Sequence, residues 1–392
     1  RVARKEDKRF ITGKGRYTDD MVVPGMKHAV FVRSPHAHAK IKSIDTSSAS
    51  AMPGVIGILD GKQLTEDGIG SLICGWAVHS KDGSPMNMGV WRPLAEDTVR
   101  YVGDAILIVV ADTGDQARAA AEAVEELPAV TTALAAMKDG APQIHPEADH
   151  NLIFDWEIGN GADVDAAIAN AAHVTNLDVD NNRLVPNAME PRATLGVYDD
   201  SEEHYTCWTT SQNPHVARLV MSAFYNVAPE NKLRVIAPDV GGGFGSKIYI
   251  YPEEIVCLWA SKRTGVPVKW TADRTEAFLT DAHGRDHVSN IKIAFDADNR
   301  ITALKVDTIA NLGAYMSLFS SSVPTYLYAT LLSGQYNIAN VHANVRTVYT
   351  NTTPVDAYRG AGSARVGRQP GGIATQELHH AISPSNAGYH EL

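Results

Sequence analysis

Four glycines occupy five consecutive positions in Gly241-Gly242-Gly243-Phe244-Gly245, directly after the β-compatible run 233–237. So much backbone freedom is costly inside a strand or helix, so the segment reads as a turn leaving a strand end. Glycines here can take positive φ and bring several N–H groups against an anion or a polar cofactor atom. The loop is not a phosphate-binding P-loop, because Lys247 comes only two residues after the last glycine, nor does it match the dinucleotide fingerprint. A turn that merely permits close packing would explain the glycines equally well. Phe244 weighs toward a ligand: an aromatic ring isolated among glycines has few local neighbours, so it is expected to wedge against something brought from elsewhere, for which a cofactor or substrate would suffice.

The 392 residues are 44% hydrophobic and 20% charged, the balance of a folded chain long enough for two or three domains of roughly 100–200 residues. With 45 acidic against 35 basic residues the formal charge is −10, which argues against a phosphate-tracking surface and so against nucleic acid. The longest clearly apolar run, 105–111, falls far short of the roughly 20 residues that span a bilayer. It reads as a buried strand, and no membrane span is expected. Cys74, Cys207 and Cys257 lie far apart, without the close pairs that hold zinc or iron–sulfur clusters. Read as reduced, mostly buried thiols, they point to a cytoplasmic location. The basic stretch 1–9 leads into no hydrophobic signal core and has no initiator Met, so the expectation is that something upstream was removed or not recorded.

Short strands are expected at 29–33, 39–44 and 55–59, with a helix over 46–54 stopped by Pro53-Gly54. After the strand at 105–111, the Ala-rich run 116–126 reads as a helix capped by Asp112 or Thr113 and limited by Pro128. A first domain closes near 130, and the loose stretch 131–155 reads as a connector. Beyond it come strands at 233–237, 267–270 and 291–295 and a helix over 252–262. No repeat of 20–50 residues emerges. The fold class is α+β.

Gln212 follows the strand 205–208 and offers both an amide donor and an acceptor oxygen at a strand end, a common place for a ligand contact, although alone such a residue is more often part of a turn. Arg359, beside Gly360-Ala361-Gly362, would suit a planar anion; a surface arginine on a loop is the plainer reading. Glu190, between Pro186 and Pro191, could act as acid or base, but pairing with Arg192 or another cation is the favoured reading. His36 and His38, His283 and His287, and His379 and His380 have no acidic or Cys ligand at a recognisable spacing, so no protein-ligated metal is expected. No Ser-His-Asp or Cys-His signature is present.

Taken together, an ordered set of segments resembles the molybdenum-binding large subunit of the xanthine oxidase family, most like the aerobic carbon monoxide dehydrogenase type. The set runs through Arg9–Asp20, Arg33–Ala39, Arg100–Asp104, Met189–Arg192, Ser211–His215, the Gly241–Gly245 loop, Asp281–His287 and Ala357–Gly362. The resemblance implies an α/β-hammerhead domain at 1–130, the connector at 131–155, the first molybdopterin-binding domain at 156–362 and an atypical tail at 363–392. It implies that Gln212 hydrogen-bonds an oxo ligand of molybdenum, that Gly242, Gly243, Phe244 and Gly245 line the cofactor, a molybdopterin cytosine dinucleotide, and that Arg359 sits near the substrate pocket. Such enzymes hydroxylate an electron-poor carbon with oxygen from water and pass electrons to an iron–sulfur small subunit and a medium subunit carrying FAD, in a dimer of heterotrimers.

Two departures narrow the substrate. Carbon monoxide oxidisers carry a Cys after Ala-Tyr-Arg, where this chain has Gly360, which argues against carbon monoxide. Purine oxidisers place a Glu after the Lys of the glycine loop, where this chain has Ile248, which argues against xanthine. A small aldehyde or an N-heterocycle remains. Family members are about twice this length and supply their general base, a Glu, from a second half; residues 1–392 alone are therefore expected not to turn over. A truncated, noncatalytic assembly or cofactor-holding module is the alternative.

Overall fold

The computed structural model describes residues 4–113, 121–334 and 336–360. These divide into two units that alternate along the chain. The first takes residues up to Leu72, Val90–Leu127 and Asn187–Asp281; the second takes Ile73–Gly89, Pro128–Pro186 and the chain from Ala282 onward.

The first unit is built on a seven-stranded sheet, in the spatial order Leu233–Ile236, His204–Thr209, Ala193–Asp199, Val268–Thr271, Lys27–Arg33, Ala105–Ala111, Val55–Asp60. Lys27–Arg33 lies parallel to Val268–Thr271, so strands from both sides of residues 131–155 share one sheet. The apolar run Ala105–Ala111 is buried throughout, as expected of an interior strand with no solvated face. Helix Pro252–Thr264 starts with Pro at its first position and ends at Gly265, whose φ of 71° lets the chain leave in the left-handed conformation. The helix lies so close to Ala193–Asp199 that a Cβ at Gly196 would sit 2.6 Å from the Cys257 carbonyl.

Beneath the helix start runs a buried ion network. Arg192 donates to Glu253 at 2.7 Å and Asp281 at 2.6 Å, and its guanidinium stacks 3.6 Å from the Tyr251 ring centre. Arg33 donates to Glu253 and to Glu276, both at 2.6 Å. Burial works against charge on Glu253, but Arg192 and Arg33 outweigh it and hold the carboxyl at about 2. Each buried charge is therefore compensated, the condition under which such groups are tolerated.

A three-stranded sheet of Thr98–Val99, Ala39–Asp45 and Ala121–Glu126 completes this unit. It corrects one expectation: 121–126 is a strand, not the end of a helix, and it pairs antiparallel with Ala39–Asp45. Ala and Glu favour helix locally, but pairing with a strand some eighty residues away in sequence supplies a ladder that local propensity does not see. Residues 116–120 of that expected helix, the tail 363–392 and His379-His380 lie outside the described residues.

The second unit holds a five-stranded sheet ordered Leu152–Gly159, Asn340–Val348, Ile301–Asn311, His287–Phe295, His173–Asn181. Phe154, Trp156, Ile291, Leu304, Val306 and Val345 pack in its core, joined by Ala133, Ala136, Ile144 and Ala148 from the stretch 131–155. Together with the helices, the two large sheets give the α+β fold that the sequence pattern implied. No helix among the described residues is long and apolar enough to cross a membrane. All three cysteines are buried and free.

Candidate functional site

Two neighbouring parallel strands create the site. His204–Thr209 and Leu233–Ile236 pair in parallel, Trp208 opposite Ile236, so both chains leave the sheet on the same side. Ligand sites gather where parallel strands end because the following loops meet there. The first chain turns at Thr210-Ser211-Gln212 into helix Pro214–Ala223; the second enters the glycine loop.

Gln212 and the loop are bound directly to each other. The Gln212 amide donates to the Lys247 carbonyl at 2.7 Å. Its side-chain oxygen accepts from the amides of Gly245 at 3.0 Å and Lys247 at 3.4 Å. That double acceptance fixes the orientation of the side-chain amide and leaves its NH2 group without an acceptor among the described residues. Gly242 and Gly245 have φ of 98° and 99°, a region that glycine reaches without strain. Phe244, at φ 52°, adopts it at a cost. Its ring lies over Gly242, where an added Cβ would come within 3.1 Å of it, and is still 44% exposed.

The backbone amides of Gly242 and Gly243 also donate to no group among the described residues, and Gly243 is buried. A buried N–H is rarely left unpaired in a native fold. The Gln212 NH2 group and these two amides thus form a set of open donors, and a Cβ at Gly243 would overlap the Gln212 side chain. The residues present therefore fit an acceptor-rich cofactor approached by backbone.

Both ends of the loop are anchored. Upstream, Asp239 is ion-paired to Arg9 and accepts the Arg16 amide at 2.8 Å, which holds its carboxyl below the usual range. Across the loop, Gly241 donates to Glu190 Oε2 at 2.6 Å while the Glu190 amide donates back to the Gly241 carbonyl at 3.1 Å. Lys247 Nζ donates to the Glu190 carbonyl at 2.8 Å and to Oε2 at 3.2 Å. Burial pushes the Lys247 ammonium down, and Glu190 opposes that. Glu190 Oε1 is buried with no hydrogen-bond partner among the described residues. The favoured reading of Glu190 as a paired carboxylate is correct, its cation being Lys247; Arg192 belongs to the buried network. The Asp239 anchor escaped the sequence reading because nothing local links residues 9 and 239.

Behind Gln212, Thr209 donates to Glu254 at 2.5 Å and the Tyr251 amide does so at 2.8 Å. Burial nonetheless pushes the Glu254 carboxyl up to about 7. Tyr251 Oη in turn donates to the Ser246 carbonyl at 2.6 Å, connecting this acid to the loop.

Gln212, Gly242, Gly243, Phe244 and Gly245 are thus brought together in the first unit, whereas Arg359 lies, exposed, in the second. His36 pairs with Glu126 at 3.0 Å, and His283 and His287 fall on an isolated bridge and a strand start respectively. No group of three His, Cys, Asp or Glu among the described residues could hold a metal.

A glycine cradle with open donors at the ends of parallel strands defines a cofactor-binding α+β protein. Comparison specifies which. Residues 144–367 match the model of the molybdopterin cofactor-binding domain, and residues 12–126 match the a/b hammerhead domain of aldehyde oxidase and xanthine dehydrogenase. The chain belongs to the xanthine oxidase family of molybdopterin-binding large subunits.

It is 36% identical over 372 residues to the carbon monoxide dehydrogenase large chain of Hydrogenophaga pseudoflava, covering 90% of this chain and 45% of that one. It is also 36% identical over 368 residues to the nicotine 6-hydroxylase large subunit of Paenarthrobacter nicotinovorans, covering 92% and 44%. Among solved structures, CO dehydrogenase from Oligotropha carboxidovorans superposes with a TM-score of 0.86 at 31% identity, over 97% of this chain and 48% of that one. Quinoline 2-oxidoreductase from Pseudomonas putida 86 superposes with a TM-score of 0.82 at 31% identity, over 98% and 50%. The chain spans about half the length of these relatives.

Proposed function

We propose that this chain is the cofactor-holding part of a molybdenum hydroxylase large subunit acting on a small aldehyde or N-heterocycle. The single observation that carries this reading is the set of donors at Gln212, Gly242 and Gly243, held open by a loop anchored through Gly241, Gly245 and Lys247. The Gln212 NH2 group and the two glycine amides would hold a molybdopterin cofactor, in its cytosine dinucleotide form, and Phe244 would cover it. When bound, that cofactor supplies two-electron oxidation of an electron-poor carbon with oxygen drawn from water.

This chain's residues bind and orient. The two parallel strand ends fix the spacing between Gln212 and the loop, Glu190 and Lys247 hold the loop closed, and Arg359 would bind an acceptor on the substrate. Gly360 and Ile248 favour a substrate other than carbon monoxide or xanthine. The division into hammerhead domain 1–130, connector 131–155 and molybdopterin-binding domain 156–362 belongs to the same reading. So do a cytoplasmic location and partner subunits carrying iron–sulfur clusters and FAD in a dimer of heterotrimers. Residues 1–392 by themselves contain no assigned general base, a contribution worth roughly 100- to 10,000-fold, and do not turn over.

The test is Gln212→Glu in the full chain purified with its partners. A carboxylate still accepts from Gly245 and Lys247 but donates nothing. Molybdenum per chain is expected to fall at least about tenfold while the thermal midpoint stays within a few degrees. Full molybdenum content in this variant would sink the reading.

A further inference from the structure

In the second unit, Arg285 is 6% exposed and has no carboxylate partner among the described residues. A buried guanidinium without a counter-charge is costly, and burial indeed pushes its ionisation down. Its backbone is strained as well: Arg285 and Asp286 have φ of 68° and 69°, two successive non-glycine residues in the left-handed region. The surroundings enforce that strain. The Asp286 amide donates to the Asn181 carbonyl at 3.0 Å, its carboxylate accepts from Arg183 at 2.7 Å and from Asn311 at 2.9 Å, and its carbonyl accepts the Asn311 amide at 3.0 Å.

The result is that the guanidinium faces one turn. It donates to the Tyr358 carbonyl at 3.0 Å and the Arg359 carbonyl at 3.3 Å, and lies 5.1 Å from the centre of the Tyr358 ring. Gly284 makes room, since a Cβ there would overlap Cβ of Tyr358. Upstream, residues 283 and 354–356 are already tied by reciprocal backbone bonds, His283 amide to Pro354 carbonyl and Asp356 amide to His283 carbonyl, both at 2.9 Å. Arg285 carries the bonding on from that ladder to the carbonyls of the turn.

We propose that Arg285 is a positioning residue, whose buried guanidinium grips the carbonyls of Tyr358 and Arg359 and so sets the direction in which the exposed Arg359 side chain projects. The functional half of this inference rests on the substrate-binding role proposed for Arg359. The guanidinium suits the task because its planar fork presents two separate nitrogens, at fixed spacing, to two successive carbonyls.

The experiment uses Arg285→Gln and Arg285→Lys in the full chain with its partners. Tryptic cleavage at the Arg359–Gly360 bond is followed by mass spectrometry, and amide exchange at Val355 and Asp356 serves as the control for local folding. Cleavage is expected to accelerate at least about tenfold in the Gln variant and by less in the Lys variant, with the control amides unchanged. Unchanged cleavage overturns the proposal, as does parallel acceleration of exchange at Val355 and Asp356, which would make Arg285 a general stabiliser. In steady-state kinetics, Arg285→Gln should raise KM with little change in kcat, and in an Arg359→Ala background it should add nothing. If Arg359→Ala alone leaves KM unchanged while the cleavage result holds, the role given to Arg359 fails and the grip on the turn stands.

Discussion

The side-chain oxygen of Gln212 accepts the Gly245 amide at 3.0 Å, and the Gln212 side chain fills the space that a side chain at Gly243 would need. The two residues are thirty-one positions apart, yet each dictates what the other can be. Gly243 is not held at positive φ, so its requirement is steric rather than conformational.

Gly243→Ala is therefore expected to destabilise the chain by about 1–3 kcal/mol, the usual result of overfilling a packed site. Gln212→Gly should relieve most of that cost, giving a double-mutant coupling of at least about 0.5 kcal/mol in urea unfolding. Strict additivity would show that the two residues do not share this space.

Glu190 holds Gly241 and Lys247 at once. Glu190→Ala leaves the Lys247 ammonium buried without its counter-charge and should lower stability by about 3 kcal/mol. Glu190→Gln can still accept from the Gly241 amide and should cost clearly less. Equal losses from the two variants, measured by urea unfolding at pH 7, would assign the effect to the ion pair rather than to the loop amide.

The pH dependence of stability should carry the mark of Glu254. Its folded-state value of about 7 lies above the ordinary 4.5. The native state therefore holds this proton more tightly than the unfolded chain. The associated stability is fully present below pH 4.5 and is lost as pH rises through 7, up to about 3 kcal/mol. Glu254→Gln, whose amide can bond both Thr209 and the Tyr251 amide, should remove that loss. Unfolding free energies measured at pH 5 and pH 8 should differ less in the variant than in the parent. An identical difference in both would show that Glu254 does not titrate there.

Much of the site could be read along the chain because its signals are local. The glycine cluster can only be a turn, and an amide side chain after a strand stands where loops meet. Their adjacency could not be read so, since it depends on which strands pair. The same limit explains the strand at 121–126, whose partner lies at 39–45, and the cation of Glu190, which is Lys247 rather than the neighbouring Arg192.

The sequence by itself determined the α+β class, the burial of 105–111 and the turn at Gly241–Gly245, because apolar patterning and glycine freedom act over a few residues. Only the tertiary structure decided that Gln212 meets that turn, that Arg9 and Glu190 anchor it and that Arg285 grips the turn of Arg359. Those contacts join residues from 33 to 230 positions apart, and a chain's order says nothing of such pairs until its strands have found their register.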